Sequence, residues 1–165
     1  MASQPSLSPA MGRIWAAIAA VVPVAVAATI GNLATIPNIS PWYEGLVKPP
    51  FNPPNSVFGP VWTVLYVLMA WAFFRVLRGP KGSERRHAVA LFLVQITLNA
   101  VWSAAFFGFH SPAAGLVVIL MLVTALAATI HAFLAIDRIA GGVLVPYFGW
   151  VAFATLLNVS IWWLN

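Results

Sequence analysis

The chain contains no cysteine. Disulfides, thiolate nucleophiles and Cys-ligated zinc or iron–sulfur centres are thereby excluded. Acids are almost as scarce: Glu44, Glu84 and Asp137 are the three it has. Only 7% of the 165 residues are charged, against about a quarter in a soluble domain. No pair of carboxylates is placed for general acid–base work, and none of His87, His110 and His131 has a carboxylate beside it in sequence. No P-loop glycine pattern occurs, and no set of metal-ligating residues with the right spacing. The long apolar runs hold no Asp, Glu or Lys. That argues against a proton-coupled pump or an ion transporter, whose pathways are marked by such residues.

What is present is apolar surface. Hydrophobic residues make up 62% of the chain, which places it in a lipid bilayer. A helix needs about 20 apolar residues to cross, and five runs qualify: about 12–36, 57–77, 87–109, 113–136 and 142–164. The breaks between them carry Gly, Pro or charge. The expected fold is therefore all-α, an integral membrane bundle of five transmembrane helices in one domain (12–165), preceded by a tail (1–11). There is no internal repeat. Arg13, the first apolar run and Ala25-Val26-Ala27 also fit a cleavable signal peptide, but the run is longer than a usual signal core and Pro23 interrupts it. Pro23 is tolerated as a kink in a membrane helix.

The net charge of +5 would fit a nucleic-acid partner, but the basic residues gather at segment ends. Arg13, Arg75, Arg78, Lys81, Arg85, Arg86 and Arg138 fall on one side and Lys48 alone on the other. This predicts a cytoplasmic N-terminus and an external C-terminus, with no nucleic acid involved. Arg75, the deepest, is expected to snorkel to the interface.

The loop 37–56 then lies outside. It is rich in proline (Pro41, Pro49, Pro50, Pro53, Pro54) and in aromatics (Trp42, Tyr43, Phe51). Proline removes backbone donors and fixes chain direction, so the expectation is a stiff, non-helical, apolar lid over a membrane-embedded pocket. Eight tryptophans are too many for interface anchoring alone. Trp42, Trp162 and Trp163 suit the headgroup belt; Trp62, Trp102 and Trp150 need another role. Helical spacing puts Trp62, Tyr66 and Met69 on one face, Gln95, Asn99 and Trp102 on another, and Tyr147, Trp150, Ala154 and Asn158 on a third. Each face mixes flat rings with hydroxyls or amides, and polar groups at membrane depth turn to the bundle interior. The amides serve equally well as interhelical glue; the lid favours a ligand. A separate stripe, Ala100, Ala104 and Gly108, has the small-xxx-small spacing that lets helices approach closely, in a homodimer or within one chain.

Four blocks occur in order: W-Y-E-G-L-V-K-P-P-F-N-P-P from Trp42, G-P-V-W-T-V-L-Y from Gly59, Q-I-T-L-N-A-V-W from Gln95, and V-P-Y-F-G-W-V-A-F-A-T-L-L-N from Val145. With them the chain closely resembles the TspO/MBR family, the tryptophan-rich sensory and translocator proteins, from about Gly12 to the C-terminus. The resemblance implies a five-helix bundle that binds tetrapyrroles (protoporphyrin IX, haem) as ligands, with no intrinsic cofactor, in a receptor or transport role connected with tetrapyrrole metabolism. Animal members also bind cholesterol and benzodiazepine-type ligands. Carried over, the pocket tryptophans are Trp62 and Trp150, the pocket asparagine Asn99, the lid tyrosine Tyr43 and the small helix-five residue Ala154. Lys48 is placed to meet a propionate at the mouth. Homodimers through the third helix are implied for Ala100, Ala104 and Gly108. Where many members carry a sterol-recognition Tyr and a following Arg, this chain has Val159 and no basic residue, so sterol binding by that motif is not expected. A light-dependent porphyrin-degrading enzyme is the rival reading, since tryptophan oxidation needs no acid–base pair. A partner-binding membrane protein is a third. A bacterial cell membrane is the expected location.

Overall fold

A computed structural model describes residues 9–165, with side chains from residue 11. Residues 1–8, most of the expected N-terminal tail, lie outside the described residues. Among those described, every regular element is helical: α1 (Pro9–Asn38), α2 (Asn55–Leu77), α3 (Ser83–Ser103), α4 (Pro112–Ile136), α5 (Arg138–Val143) and α6 (Val145–Leu164). Two π-helical turns, Ile39–Tyr43 and Ala104–Gly108, extend α1 and α3. Five stretches are long and apolar enough to cross a membrane, with α5 and α6 sharing the fifth (Arg138–Leu164). The chain is an all-α, multi-pass membrane protein.

The spans start earlier than their apolar runs. α3 begins at Ser83, four residues before His87, because Ser83 to Arg86 wind into its first turn while still polar. The lid is shorter than expected. Helical turns continue to Gly45, bending at Ser40 (φ −115°, ψ 133°), where the Ser40–Pro41 peptide is cis. Only 46–54 is free of helix. Pro37 falls in the last turn of α1 and Pro41 opens the turn after the bend, where a missing N–H costs least.

α3 is the centre of the bundle, packing on both α1 and α4, while α4 packs on α6 and α2 on α1 and α5. The half of the core nearer the arginine-rich end is dry. Phe73 stacks on Phe92 at 4.0 Å, and Phe92 on Phe133 at 5.9 Å. All three are buried, with Met69, Ala72 and Val76 around them. The α4–α5 turn fits because residue 141 is glycine: a Cβ there would stand 2.5 Å from Leu134 Cγ and 2.9 Å from its backbone N.

Arg75 does not simply snorkel. Its Nε and Nη2 both reach Asp137 Oδ2 at 2.8 Å. Asp137 Oδ1 meanwhile caps α5, accepting from the N–H groups of Ile139 (2.9 Å) and Ala140 (3.1 Å). One carboxylate thus fixes the turn between the fourth and fifth spans to the end of the second. Desolvation alone would raise its pKa, but the Ala140 and Ile139 amides and the Arg75 guanidinium together hold it below the usual carboxylate value. A depressed folded-state pKa adds stability above the unfolded value, near 3.9, and that stability is lost as pH falls through the folded value. Asp137→Ala is therefore expected to cost about 1–2 kcal/mol at neutral pH, from a lost cap and a part-buried ion pair. The gap to wild type should narrow below about pH 3.9. Denaturant unfolding at both pH values reads this; an equal gap at both would show that the carboxylate charge contributes nothing.

Candidate ligand-binding site

Towards the lid the apolar core gives way to a polar aromatic cluster. Tyr66 of α2 donates its hydroxyl to Asn99 Oδ1 of α3 at 3.0 Å. Asn99 Nδ2 donates to the Tyr147 hydroxyl of α6 at 2.9 Å. One amide on the central helix thus links three spans. Asn99 and Tyr147 are buried. On the α1 side, Gly31 leaves room: a Cβ there would lie 3.4 Å from Ser103 Oγ and 3.6 Å from the Tyr66 hydroxyl.

Rings bridge α2 and α6 above this link. Trp62 stacks on Tyr66 (5.6 Å, 30°) and meets Tyr147 edge-on at 6.2 Å. One turn further out, Phe58 meets Trp150 edge-on at 5.9 Å. Trp150 contacts Phe153 at 5.6 Å, and Phe153 contacts Phe51 of the lid at 6.5 Å. A wall of aromatic faces therefore runs from the lid down to the Tyr66–Asn99–Tyr147 link. Three buried polar atoms along these helices have no hydrogen-bond partner among the described residues: Gln95 Oε1 and Nε2, and Trp150 Nε1. Buried polar groups are normally paired, and an unpaired one costs about 1–3 kcal/mol. These atoms are free to meet polar atoms of a ligand or of water.

The helix-face reasoning thus brings together Trp62, Tyr66, Asn99 and Tyr147 in direct contact, with Trp150 and Gln95 on the same helices. Ala154 is buried beside them in the core. Other expected site residues are engaged elsewhere. Trp102 Nε1 donates to Asn158 Oδ1 at 3.1 Å, and Asn158 Nδ2 donates to the Pro112 carbonyl at 2.7 Å. That pair ties α3, α4 and α6 together and is interhelical glue, although the Trp102 ring also faces Trp62 at 6.3 Å. Lys48 folds back on its own loop. Its Nζ donates to the carbonyls of Glu44 (3.1 Å) and Leu46 (3.0 Å) and sits 4.8 Å from the Tyr43 ring centroid.

The expected void directly beneath the lid is filled. Tyr43, Phe106 and Ile161 are buried there, with Trp42, Leu46 and Phe107 packed against them. Tyr43 pins the lid, donating to Asn52 Oδ1 at 3.0 Å. Trp42 is part-buried and stacks on His110 at 4.6 Å and 22°. The His110 ring also pairs with Asn38 Oδ1 at 2.7 Å through Nε2. Asn52 and His110 were invisible as site residues because their partners are nine and 72 positions away.

Asn165 fastens the lid from the other side. Its Oδ1 accepts from Val47 N–H, and its Nδ2 donates back to the Val47 carbonyl, both at 3.0 Å. Replacing Asn165 with alanine removes both bonds, each worth about 0.5–1.5 kcal/mol. The Val47 amide should then exchange with deuterium about tenfold faster. An unchanged rate would mean that the loop is held by its prolines alone.

Of the small-residue stripe, Ala104 is part-buried and Gly108 exposed. Ala100 is buried in the core. After Ser103 the helix widens into the π-helical turn, closed by Phe109 N–H to the Ala104 carbonyl at 2.8 Å. The i, i+4 register therefore ends at Ala104, and a Cβ on Gly108 would face Ala34 of α1 at 3.9 Å. α3 also packs on α1 within the chain.

The family model for TspO/MBR matches residues 19–164. The chain belongs to the TspO/MBR family. It is 45% identical to the tryptophan-rich protein TspO of Chlorobaculum tepidum over 82% of this chain and 86% of that one. A TspO of Archaeoglobus fulgidus is 38% identical over 93% and 97% of the two chains. The human translocator protein is 38% identical over 73% of each. Trp62, Asn99 and Trp150 all lie inside the span that the TspO/MBR model covers.

Proposed function

We propose that this TspO/MBR protein binds a tetrapyrrole, protoporphyrin IX or haem, between α2 and α6 below the lid, and acts as a membrane receptor or transporter for it. The observation that carries the reading is the wall of rings from Phe51 to Tyr147, with the unpaired Trp150 indole N–H on α6 and the unpaired Gln95 amide on the neighbouring α3. A porphyrin is a large aromatic plate with polar atoms at its centre and carboxylates on one edge. Flat indole and phenol faces suit the plate, at about 0.5–1.5 kcal/mol per ring pair beyond burial. Buried donors and acceptors suit its polar atoms. Seven basic residues at one end and Lys48 at the other support a cytoplasmic N-terminus and an external lid, in a bacterial cell membrane. A homodimer through the third helix would use the part-buried Ala104 and the exposed Gly108; Ala100 is buried in the core.

Entry requires the lid to lift and the rings beneath it to turn aside, a gating motion on the microsecond-to-millisecond scale. The test is a spectroscopic titration of the full chain with protoporphyrin IX and with haem, followed by Soret shift and tryptophan quenching. Saturable one-to-one binding supports the reading; neither ligand binding at micromolar concentration would end it. Illuminating the loaded protein with and without oxygen separates binding from degradation. Oxygen-dependent loss of the porphyrin band, faster than for free porphyrin, would make the protein an enzyme.

A further inference from the structure

Away from the aromatic site, two open grooves share one line along the outside of α1. The first, about 430 Å³, lies between Trp15 and Ala19 of α1, Leu77 of α2, and Arg85, Arg86 and Val89 of α3. The second, about 370 Å³, continues past Trp15 and Ala19 to Ile18, Val22, Pro23 and Leu93. The lining holds two guanidinium groups and no carboxylate. We propose that this track is a binding site for one anionic phospholipid, with the phosphate at Arg86 and Arg85 and an acyl chain laid along α1 towards Pro23.

Charge, lining, length and the place of Trp15 carry it. The charge sits only at one end. Arg85 is fixed there, its Nη1 donating to the carbonyls of Leu77 (2.8 Å) and Gly79 (3.1 Å) at the end of α2. Beyond its backbone N–H, which donates to the Gly82 carbonyl at 3.2 Å, Arg86 is exposed and its side chain makes no hydrogen bond or ion pair among the described residues. Glu84, the nearby acid, is exposed and does not line the groove. An unpaired guanidinium beside a fixed one fits phosphate geometry. The remaining lining is apolar, so a water-soluble anion would leave most of the track unfilled. The length also fits. Trp15 to Pro23 is about 12 Å at 1.5 Å per residue, close to the roughly 15 Å of hydrocarbon in one leaflet. Trp15, more than half exposed, sits at the charged end, the depth where indoles meet headgroups. The site is separate from the α2–α6 ring cluster and does not depend on porphyrin binding.

Native mass spectrometry of the full chain in mixed micelles of phosphatidylglycerol and phosphatidylcholine tests it. One phosphatidylglycerol should be retained per chain in preference to phosphatidylcholine. Arg86→Gln should lower that preference about fivefold, the effect of one basic residue near an anionic surface. Ala19→Phe, which fills the track, should abolish retention, with Ala19→Leu in its place if phenylalanine disturbs the circular-dichroism melt. Arg86→Gln should leave the protoporphyrin titration unchanged. Equal retention of the two lipids would overturn the proposal. So would wild-type retention in both variants, which would reduce the arginines to a diffuse attraction. A dimer that Ala19→Phe dissociates would instead assign the groove to a second copy, and protoporphyrin displacing the lipid would assign it to a porphyrin.

Discussion

Replacing Trp62 with alanine should weaken protoporphyrin binding at least tenfold. Trp62 contacts Tyr66, Trp102 and Tyr147 and is the ring on which α2, α3 and α6 converge. Its loss removes one face from a plate-shaped ligand and opens space that the remaining rings do not fill. The aromatic contribution alone is about 0.5–1.5 kcal/mol, and lost apolar burial adds to it; about 1.4 kcal/mol is tenfold. Trp62→Phe, which keeps a ring, should lose less than half as much on the free-energy scale. The measurement is the same Soret titration. Wild-type affinity in a Trp62→Ala/Trp150→Ala double variant would remove the α2–α6 ring cluster as the binding site.

The second large effect is expected at Asn99. Asn99→Leu strands two hydroxyls, Tyr66 and Tyr147, which the asparagine amide now satisfies. Interhelical hydrogen bonds in membranes average about 0.6 kcal/mol and reach about 1.7, so losing two should cost about 1–3 kcal/mol in a detergent-unfolding titration. Removing the stranded hydroxyls as well should restore stability, because replacing all partners by apolar groups of similar shape is nearly neutral. A triple variant, Tyr66→Phe/Asn99→Leu/Tyr147→Phe, should therefore unfold close to wild type while its porphyrin affinity stays reduced. If the triple variant is as unstable as the single one, the loss comes from the volume of leucine and not from hydrogen bonding.

These two experiments rest on residues that the sequence already marked. Trp62, Tyr66, Asn99 and Tyr147 were legible because each stands on an apolar helix at a spacing that puts polar and aromatic groups on one face. A polar group at that depth has nowhere to turn but inward. The spans were legible for the same reason, since composition alone sets them. Pairings across the fold were not. Asn158 and Asn99 are the same residue type in similar surroundings, yet one joins Trp102 to the start of α4 and the other bridges two tyrosines. No local pattern separates them, because the partners lie 33 to 56 positions away. Asp137 read as a turn residue, and its pairing with Arg75 spans 62 positions. The lid reads as longer than it is because proline implies helix breaking throughout, whereas α1 carries Pro37 inside its last turn and Pro41 opens the turn after the bend.

The wide turn at the tip of α3 bears on how this protein tolerates change. Residues 104–108 occupy one more position than an α-helical turn of the same height. Point substitutions there leave the count intact. Were the turn to tighten to ordinary pitch with all its residues kept, everything beyond it would swing by about 100° around the axis, and His110 would leave both Asn38 and Trp42, the two contacts that seat the outer end of α1. Deleting a single residue would let it tighten with the rest still in phase. The surplus residue is slack that the third span can lose here without turning the roof above it.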